Sequence, residues 1–199
     1  MIKVNLCCDR QNPSFSAHFV MKVPIQKYSA AEKTYKSFDA ELIKLDQKIP
    51  QDINFVKDVC ESEDFNTWGK YLFGLWQNKT WNRPNVISNS VYALVKPQQD
   101  KNYEKINPDD VLGITEFVEH KPENNPANQI MFLITKQQYQ KVNRTETSEY
   151  TDIGKGMTDA LKALYAQKPI AGFSVLESVE FWQKQGFQNK NQRSLIYNG

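Results

Sequence analysis

The chain has 199 residues, 40% of them hydrophobic and 24% charged, with a net charge of +2. This length buries one sizeable core, so 1–199 is expected to be one domain, and the interspersed charges contain no basic block that would draw in nucleic acid. Cys7, Cys8 and Cys60 form no C-x-x-C and the two histidines, His18 and His120, no H-x-H or H-E-x-x-H, so neither a disulfide framework nor a metal site is expected.

The first elements read as follows. Ile2, Val4 and Leu6 alternate like a strand, not like the apolar core of a signal peptide, and no run approaches the ~20 apolar residues of a membrane span. A cytoplasmic protein without membrane contact is expected. His18 to Val23 is a second apolar stretch. Ala31, Tyr35, Phe38, Leu42 and Leu45 then step by four and three, which predicts a helix that Pro50 ends. Ile53, Val56, Val59 and Cys60 predict a second helix, and Phe65, Trp68, Leu72, Leu75 and Trp76 a third, their aromatics reading as ordinary core.

The second half turns to strands. Val91 to Val95 and Val111 to Val118 predict an antiparallel pair, with Asn107-Pro108-Asp109-Asp110 as the turn. After a loop over 119–128, Ile130-Met131-Phe132-Leu133-Ile134 predicts a central buried strand. Next, Gly154 and Gly156 flank Lys155 at the head of a helix that places Met157, Ala160, Leu161, Leu164 and Tyr165 on one face. A glycine turn of this kind aims backbone N–H groups at a helix N-terminus, a place for a phosphate. It has neither the Walker spacing nor the G-x-G-x-x-G of a dinucleotide fold. Ile170 to Val175 predicts a strand, Ser178 to Gln185 a short helix stopped by Gly186 in the C′ role, and Arg193 to Tyr197 the last strand.

The order of these pieces resembles the GNAT family, the Gcn5-related N-acetyltransferases. The signature Q/R-x-x-G-x-G/A aligns with Thr151-Asp152-Ile153-Gly154-Lys155-Gly156, and A-x-x-x-Y-x-x-x-G-F aligns with Ser178 through Phe187. Phe181-Trp182-Gln183-Lys184-Gln185-Gly186-Phe187 also looks like a run of the histone acetyltransferase branch. The resemblance implies an α/β fold: a mixed, mostly antiparallel sheet flanked by helices, with splayed fourth and fifth strands at 130–134 and 170–175. It implies acetyl-CoA as co-substrate and an amine, on a small molecule or a protein, as acceptor. Residues 1–85 would supply the acceptor side and 86–199 the acetyl-CoA core. Leu133, Ile134 and Thr135 would offer backbone groups to the pantetheine arm and the oxyanion, Thr151 through Met157 would cradle the diphosphate, and Ser178 and Trp182 would lie beside the thiol.

An alkyl amine is protonated near neutrality, so a base must take a proton before attack on the thioester. Glu116 and Glu119 are the candidate bases, because Gln129 stands where the histone branch opens its fourth strand with Glu, and an amide takes no proton. Thr151 replaces the usual Gln or Arg. Trp182 replaces a Tyr that protonates the leaving thiolate, and indole is no acid, which leaves water or Ser178. These substitutions keep a second reading open: a degenerate member that binds CoA or a protein without catalysis. The polar stretch from Lys136 to Tyr150 reads as a surface insertion, its alternative being a flap over the diphosphate.

Overall fold

The computed structural model describes residues 17–78, 85–98, 103, 106–123, 127–174, 178–191 and 194–198. The strand expected at Ile2 to Leu6, Cys7, Cys8, Val175 and Arg193 lie outside them.

Strand β1 (His18–Ser29) and strand β2 (Thr34–Leu45) form a long antiparallel hairpin, registered from His18↔Lys44 to Ser29↔Thr34. The helix expected over Ala31 to Leu45 is therefore a strand. Its helical spacing is a coincidence of a strand buried on both faces. Ala40 and Leu42 enter one core, Ile43 and Leu45 the other, so apolar residues run nearly continuously and period two is masked. Pro50 does not end a helix but begins one, α1 (Pro50–Glu61), where its missing N–H costs nothing. Helix α2 (Asn66–Gln77) follows, as expected from its apolar positions.

The remaining elements are β3 (Val86–Val95), β4 (Val111–His120), β5 (Asn128–Thr135), β6 (Tyr150–Thr151), α3 (Ile153–Leu164), β7 (Ile170–Phe173), α4 (Val179–Lys184), β8 (Gln188–Asn189) and β9 (Ser194–Tyr197). The strands make one nine-stranded sheet in the order β6-β1-β2-β3-β4-β5-β7-β9-β8. Among the described residues the pairing is antiparallel throughout except between β5 and β7. One face carries α3 and α4 on a core with Ile153, Met157, Leu161 and Trp182, and the other carries α1 and α2 on a core with Phe55, Val59, Leu72 and Trp76. The mixed, mostly antiparallel sheet flanked by helices is the architecture the sequence implied. Leu164, expected on the buried face of α3, is instead exposed.

The feature that positions the site is the parting of β5 from β7. The two pair only through Asn128↔Ile170, Gln129↔Ala171 and Ile130↔Gly172, whereas β5 stays on β4 as far as Thr135↔Gly113. A register shift between Glu116 and Phe117 inserts Met131 as a bulge where the parting begins. Met131, Phe132 and Leu133 are consequently half-buried, not the closed strand core expected. Beyond β5, Lys136 fixes its end: the ammonium group, almost fully buried, donates to Asp64 Oδ2 at 2.6 Å and to the Asp109 carbonyl at 3.0 Å. The stretch after it docks on the hairpin, with Tyr35 Oη donating to the carbonyls of Glu146 and Ser148 and Tyr139 and Tyr150 buried.

The two glycines of α3 do different work from that expected. Both lie within the helix, and the left-handed residue at its head is Asp152, with φ 62°. Glycine is needed for close approach. A Cβ at Gly156 would sit 2.8 Å from Val23 Cγ1 and 3.2 Å from the Pro24 carbonyl, whereas one at Gly154 would meet the Phe181 ring at 3.3 Å and Leu133 at 3.4 Å. Gly156→Ala is expected to destabilise the fold by about 1–3 kcal/mol despite the better helix propensity of Ala. Gly154→Ala should shift stability by less than about 1 kcal/mol. Urea denaturation of the two variants beside the parent checks this ordering.

Candidate functional site

Past Ile130, one edge of β5 has no strand beside it among the described residues. The N–H of Lys136 points at β4, donating to the Leu112 carbonyl. Alternation along the strand therefore turns the N–H groups of Leu133 and Thr135 the other way, into the opening. Gly154 lies across that opening, against Leu133 on one side and Phe181 of α4 on the other. The first backbone bond of α3 runs from Gly156 N–H to the Asp152 carbonyl at 2.8 Å. The N–H groups of Ile153, Gly154 and Lys155 thus precede the helical ladder and, with the helix dipole, face the same mouth. An edge of strand amides and a helix N-terminus converge there.

The two candidate carboxylates lie on opposite faces of the sheet. Glu119 shares the α3 face and accepts from Ser88 Oγ at 3.3 Å. Glu116 lies on the α1/α2 face, paired in register with Phe132 at the bulge, and is fully buried. Its Oε1 accepts from Asn89 Nδ2 at 3.0 Å, and its Oε2 has no partner among the described residues. Burial pushes its carboxyl group up to about 7, against the lowering effect of the Asn89 hydrogen bond. A carboxylate half-ionised near neutrality, with one oxygen unengaged, has the properties of a general base. Cys60 is no rival nucleophile, because burial, with help from Glu116 and Glu61, pushes its thiol up to about 12.

The other residues singled out from the sequence are placed as follows. Thr151 pairs with Gln26 of β1, so the first signature position belongs to the sheet edge. Lys155 is exposed and bonds Asp159 of its own helix at 2.7 Å. Met157 is a fully buried core residue. Ile134 pairs with Ile114, and its side chain is buried. Ser178 stands at the N-cap of α4 without a side-chain capping bond, and its hydroxyl lies 2.9 Å from Ser174 Oγ. Trp182 is buried edge-on to Phe181 and Phe187, so Phe181 is the ring that reaches the opening. Gln129 Oε1 is 3.0 Å from His120 Nε2. Gly186, at φ 81°, closes α4 as expected, its N–H on the Gln183 carbonyl and that of Phe187 on the Trp182 carbonyl. Sequence reading missed Phe181 and Asn89, the first hidden within the aromatic pair, the second in an unremarkable polar run. Among the described residues no cluster of His, Cys, Asp and Glu is suited to a metal, and no helix is long and apolar enough to cross a membrane.

No family model and no curated protein matches this chain. Among solved structures it is similar to Tetrahymena GCN5, at 12% identity over 81% of this chain and 96% of that one with a TM-score of 0.46. It is also similar to PaiA N-acetyltransferase from Thermoplasma acidophilum in complex with coenzyme A, at 12% identity over 80% and 98% of the two chains with a TM-score of 0.44. AtaT complexed with acetyl-methionyl-tRNAfMet matches at 12% identity over 80% and 95%, again with a TM-score of 0.44. The strand order and the parting parallel pair are those of the mixed, mostly antiparallel sheet flanked by helices that the sequence implied.

Glu116 makes stability depend on pH. Its carboxyl group is held above the ordinary value in the folded state, so the contribution is present below the ordinary carboxyl range and is lost as pH rises through about 7. Glu116→Gln, which keeps the size and the acceptor for Asn89, is expected to be more stable than the parent at pH 8, by an amount on the order of 3 kcal/mol. The gap should close towards pH 4. Melting curves of both proteins across this range check it.

Proposed function

We propose that the protein is an acetyl-CoA-dependent N-acetyltransferase acting on an amine. The observation that carries this reading is the juxtaposition at the parting strands: open amides on β5, a helix N-terminus at the mouth, and a buried carboxylate in register with Phe132.

The residues present suit the acyl carrier. The N–H groups of Ile153, Gly154 and Lys155, together with the Lys155 side chain once it leaves Asp159, would hold the diphosphate. A side chain at residue 154 would project against Leu133 and Phe181, at the mouth that the carrier would enter. The Leu133 carbonyl and the Thr135 N–H would bind the pantetheine amides as a strand neighbour would. Acetyl-CoA, when bound, supplies an activated acyl carbon. The Leu133 N–H would donate to oxygen at that carbon as charge develops there.

Glu116 takes a proton from the acceptor ammonium group, which lies far above neutrality in its ordinary pKa and is unreactive until neutral. Its position on the α1/α2 face makes these helices the wall through which the acceptor arrives. Trp182 can neither give nor take a proton and is buried, so protonation of the leaving thiolate falls to water or to Ser178. The near-neutral net charge of +2 favours a small molecule or protein acceptor over nucleic acid. AtaT is complexed with a charged tRNA, so an aminoacyl-tRNA belongs in the acceptor panel.

Release of free thiol from acetyl-CoA tests the proposal, with alkyl amines, peptides bearing free N-termini or lysines, and aminoacyl-tRNA as acceptors. The parent should release thiol with at least one class, its kcat/KM rising with pH through about 7 as Glu116 ionises. Glu116→Gln should lower kcat by about 10²–10⁴-fold with acetyl-CoA binding retained. Gly154→Glu should abolish binding itself, read by titration calorimetry, with circular dichroism as the folding control. Binding of acetyl-CoA without thiol release on any acceptor would favour the non-catalytic CoA-binding module instead. Absence of binding by the folded parent would contradict both.

A further inference from the structure

The sheet parts in a second place. Strands β2 and β3 pair from Glu41↔Val95 to Leu45↔Val91 and then separate. Between Lys44 to Lys48 on one side and Val86 to Ser90 on the other lies a cavity of about 260 Å³. Its lining is largely polar: Lys44, Asp46, Gln47, Lys48, Ser88 and Asn89. Two buried side-chain oxygens on this wall, Gln47 Oε1 and Asn89 Oδ1, have no donor among the described residues. Neither results from an arbitrary choice of amide orientation. Gln47 Nε2 donates to the Asn89 carbonyl at 3.3 Å and Asn89 Nδ2 to Glu116 Oε1 at 3.0 Å, which leaves both oxygens turned away. Buried acceptors in a polar space of this size call for water.

Asn89 belongs both to this cavity and to the carboxylate. Glu116 has no solvent exposure of its own, yet a base that accepts a proton in each turnover must also lose it. The groups around it are few. Cys60 faces it from α1, Asn89 from β3 and Phe132 from β5, and the charged residues lining the cavity are Lys44, Asp46 and Lys48. None of the α1 or β5 groups opens a path for a proton: the thiol is buried, and Phe132 is apolar.

We propose that Asn89 is a positioning residue for Glu116 and that the β2–β3 cavity holds the water through which the Glu116 proton reaches solvent. This rests on the acetyltransferase reading for its catalytic meaning. The ammonium N–H bond breaks as the Glu116 O–H bond forms, leaving a neutral amine and a neutral carboxylic acid. The acid then passes its proton to cavity water, and the carboxylate is restored with no other reactant. Asn89 keeps one carboxylate oxygen in place through both steps, leaving the other for the acceptor.

The test reads the carboxyl group directly, before any turnover. In protein labelled with ¹³C at the glutamate carboxyl carbons, Glu116 is assigned as the signal missing from Glu116→Gln and titrated without ligand. Asn89→Leu, and the milder Asn89→Ser should Leu not fold, are expected to raise its midpoint by about one unit, because the hydrogen bond to the ionised form is gone. Gln47→Phe touches no atom of Glu116 but fills the cavity, and should raise the midpoint in the same direction by drying the pair. An unmoved midpoint in the Asn89 variants would overturn the positioning role, and one in Gln47→Phe the water path. The acid limb of kcat/KM should follow these shifts. If the midpoints move and the limb does not, Glu116 is not the base, which overturns the catalytic role while leaving the hydrogen-bonded assembly in place. If the midpoints move and no acceptor is acetylated, the failure lies in the acetyltransferase reading.

Discussion

A backbone N–H or carbonyl group inside a sheet must be paired, and the structure is organised around one place where the sheet does not pair its own. Strands β5 and β7 run side by side for three residues and then part, although sheet continues on either side of them, through β4 and through β9. An inner edge of this kind is costly if it closes on nothing and is a template for whatever extended group enters it. The surrounding elements keep it open. The Met131 bulge turns β5, Lys136 ties its far end to Asp64 and the Asp109 carbonyl, and the first turn of α3 lies across the mouth, near both Leu133 and Phe181, because residue 154 is glycine.

The sheet then separates two kinds of work. On the α3/α4 face, Ile153, Met157, Leu161 and Trp182 are buried together, a rigid backing for the helix N-terminus and the strand edge. On the α1/α2 face, which carries the core of Phe55, Val59, Leu72 and Trp76, Glu116 is fully buried, and burial keeps its carboxyl group near its midpoint at neutral pH. An acyl carrier on the edge and an amine from the α1/α2 side would meet at the bulge. On the proposed reading, the acyl end of the carrier and the proton transfer would fall to groups on neighbouring strands, β4 and β5, whose register fixes their separation. Positioning of this kind supplies much of the catalysis when two reactants must be brought together.

Much of this was legible in the chain because it depends on local chemistry. The Ile130 to Ile134 run, the α3 stripe of Met157, Ala160 and Leu161, and the Gly186 stop each follow from periodicity or from one residue's backbone freedom. The β2 strand was not legible, because its residues face two cores at once and its spacing coincides with that of a helix. The purpose of the glycines was misread for a related reason. Their surroundings are Val23, the Pro24 carbonyl, Leu133 and Phe181, groups distant in sequence that the turn in which they stand does not reveal. The faces that Glu116 and Glu119 take likewise could not be read from sequence, since a strand's alternation says that two glutamates three apart face opposite ways but not which face carries which helices.

The central claim is that the β5 edge beyond Ile130 and the head of α3 receive the acyl carrier together. Residue-resolved amide hydrogen exchange with and without acetyl-CoA tests it most directly. The account predicts slowed exchange at Leu133 and Thr135 and at Ile153, Gly154 and Lys155, with the amides of β8 and β9 unchanged. Protection confined to other elements, with these five amides exchanging as in the free protein, would contradict it.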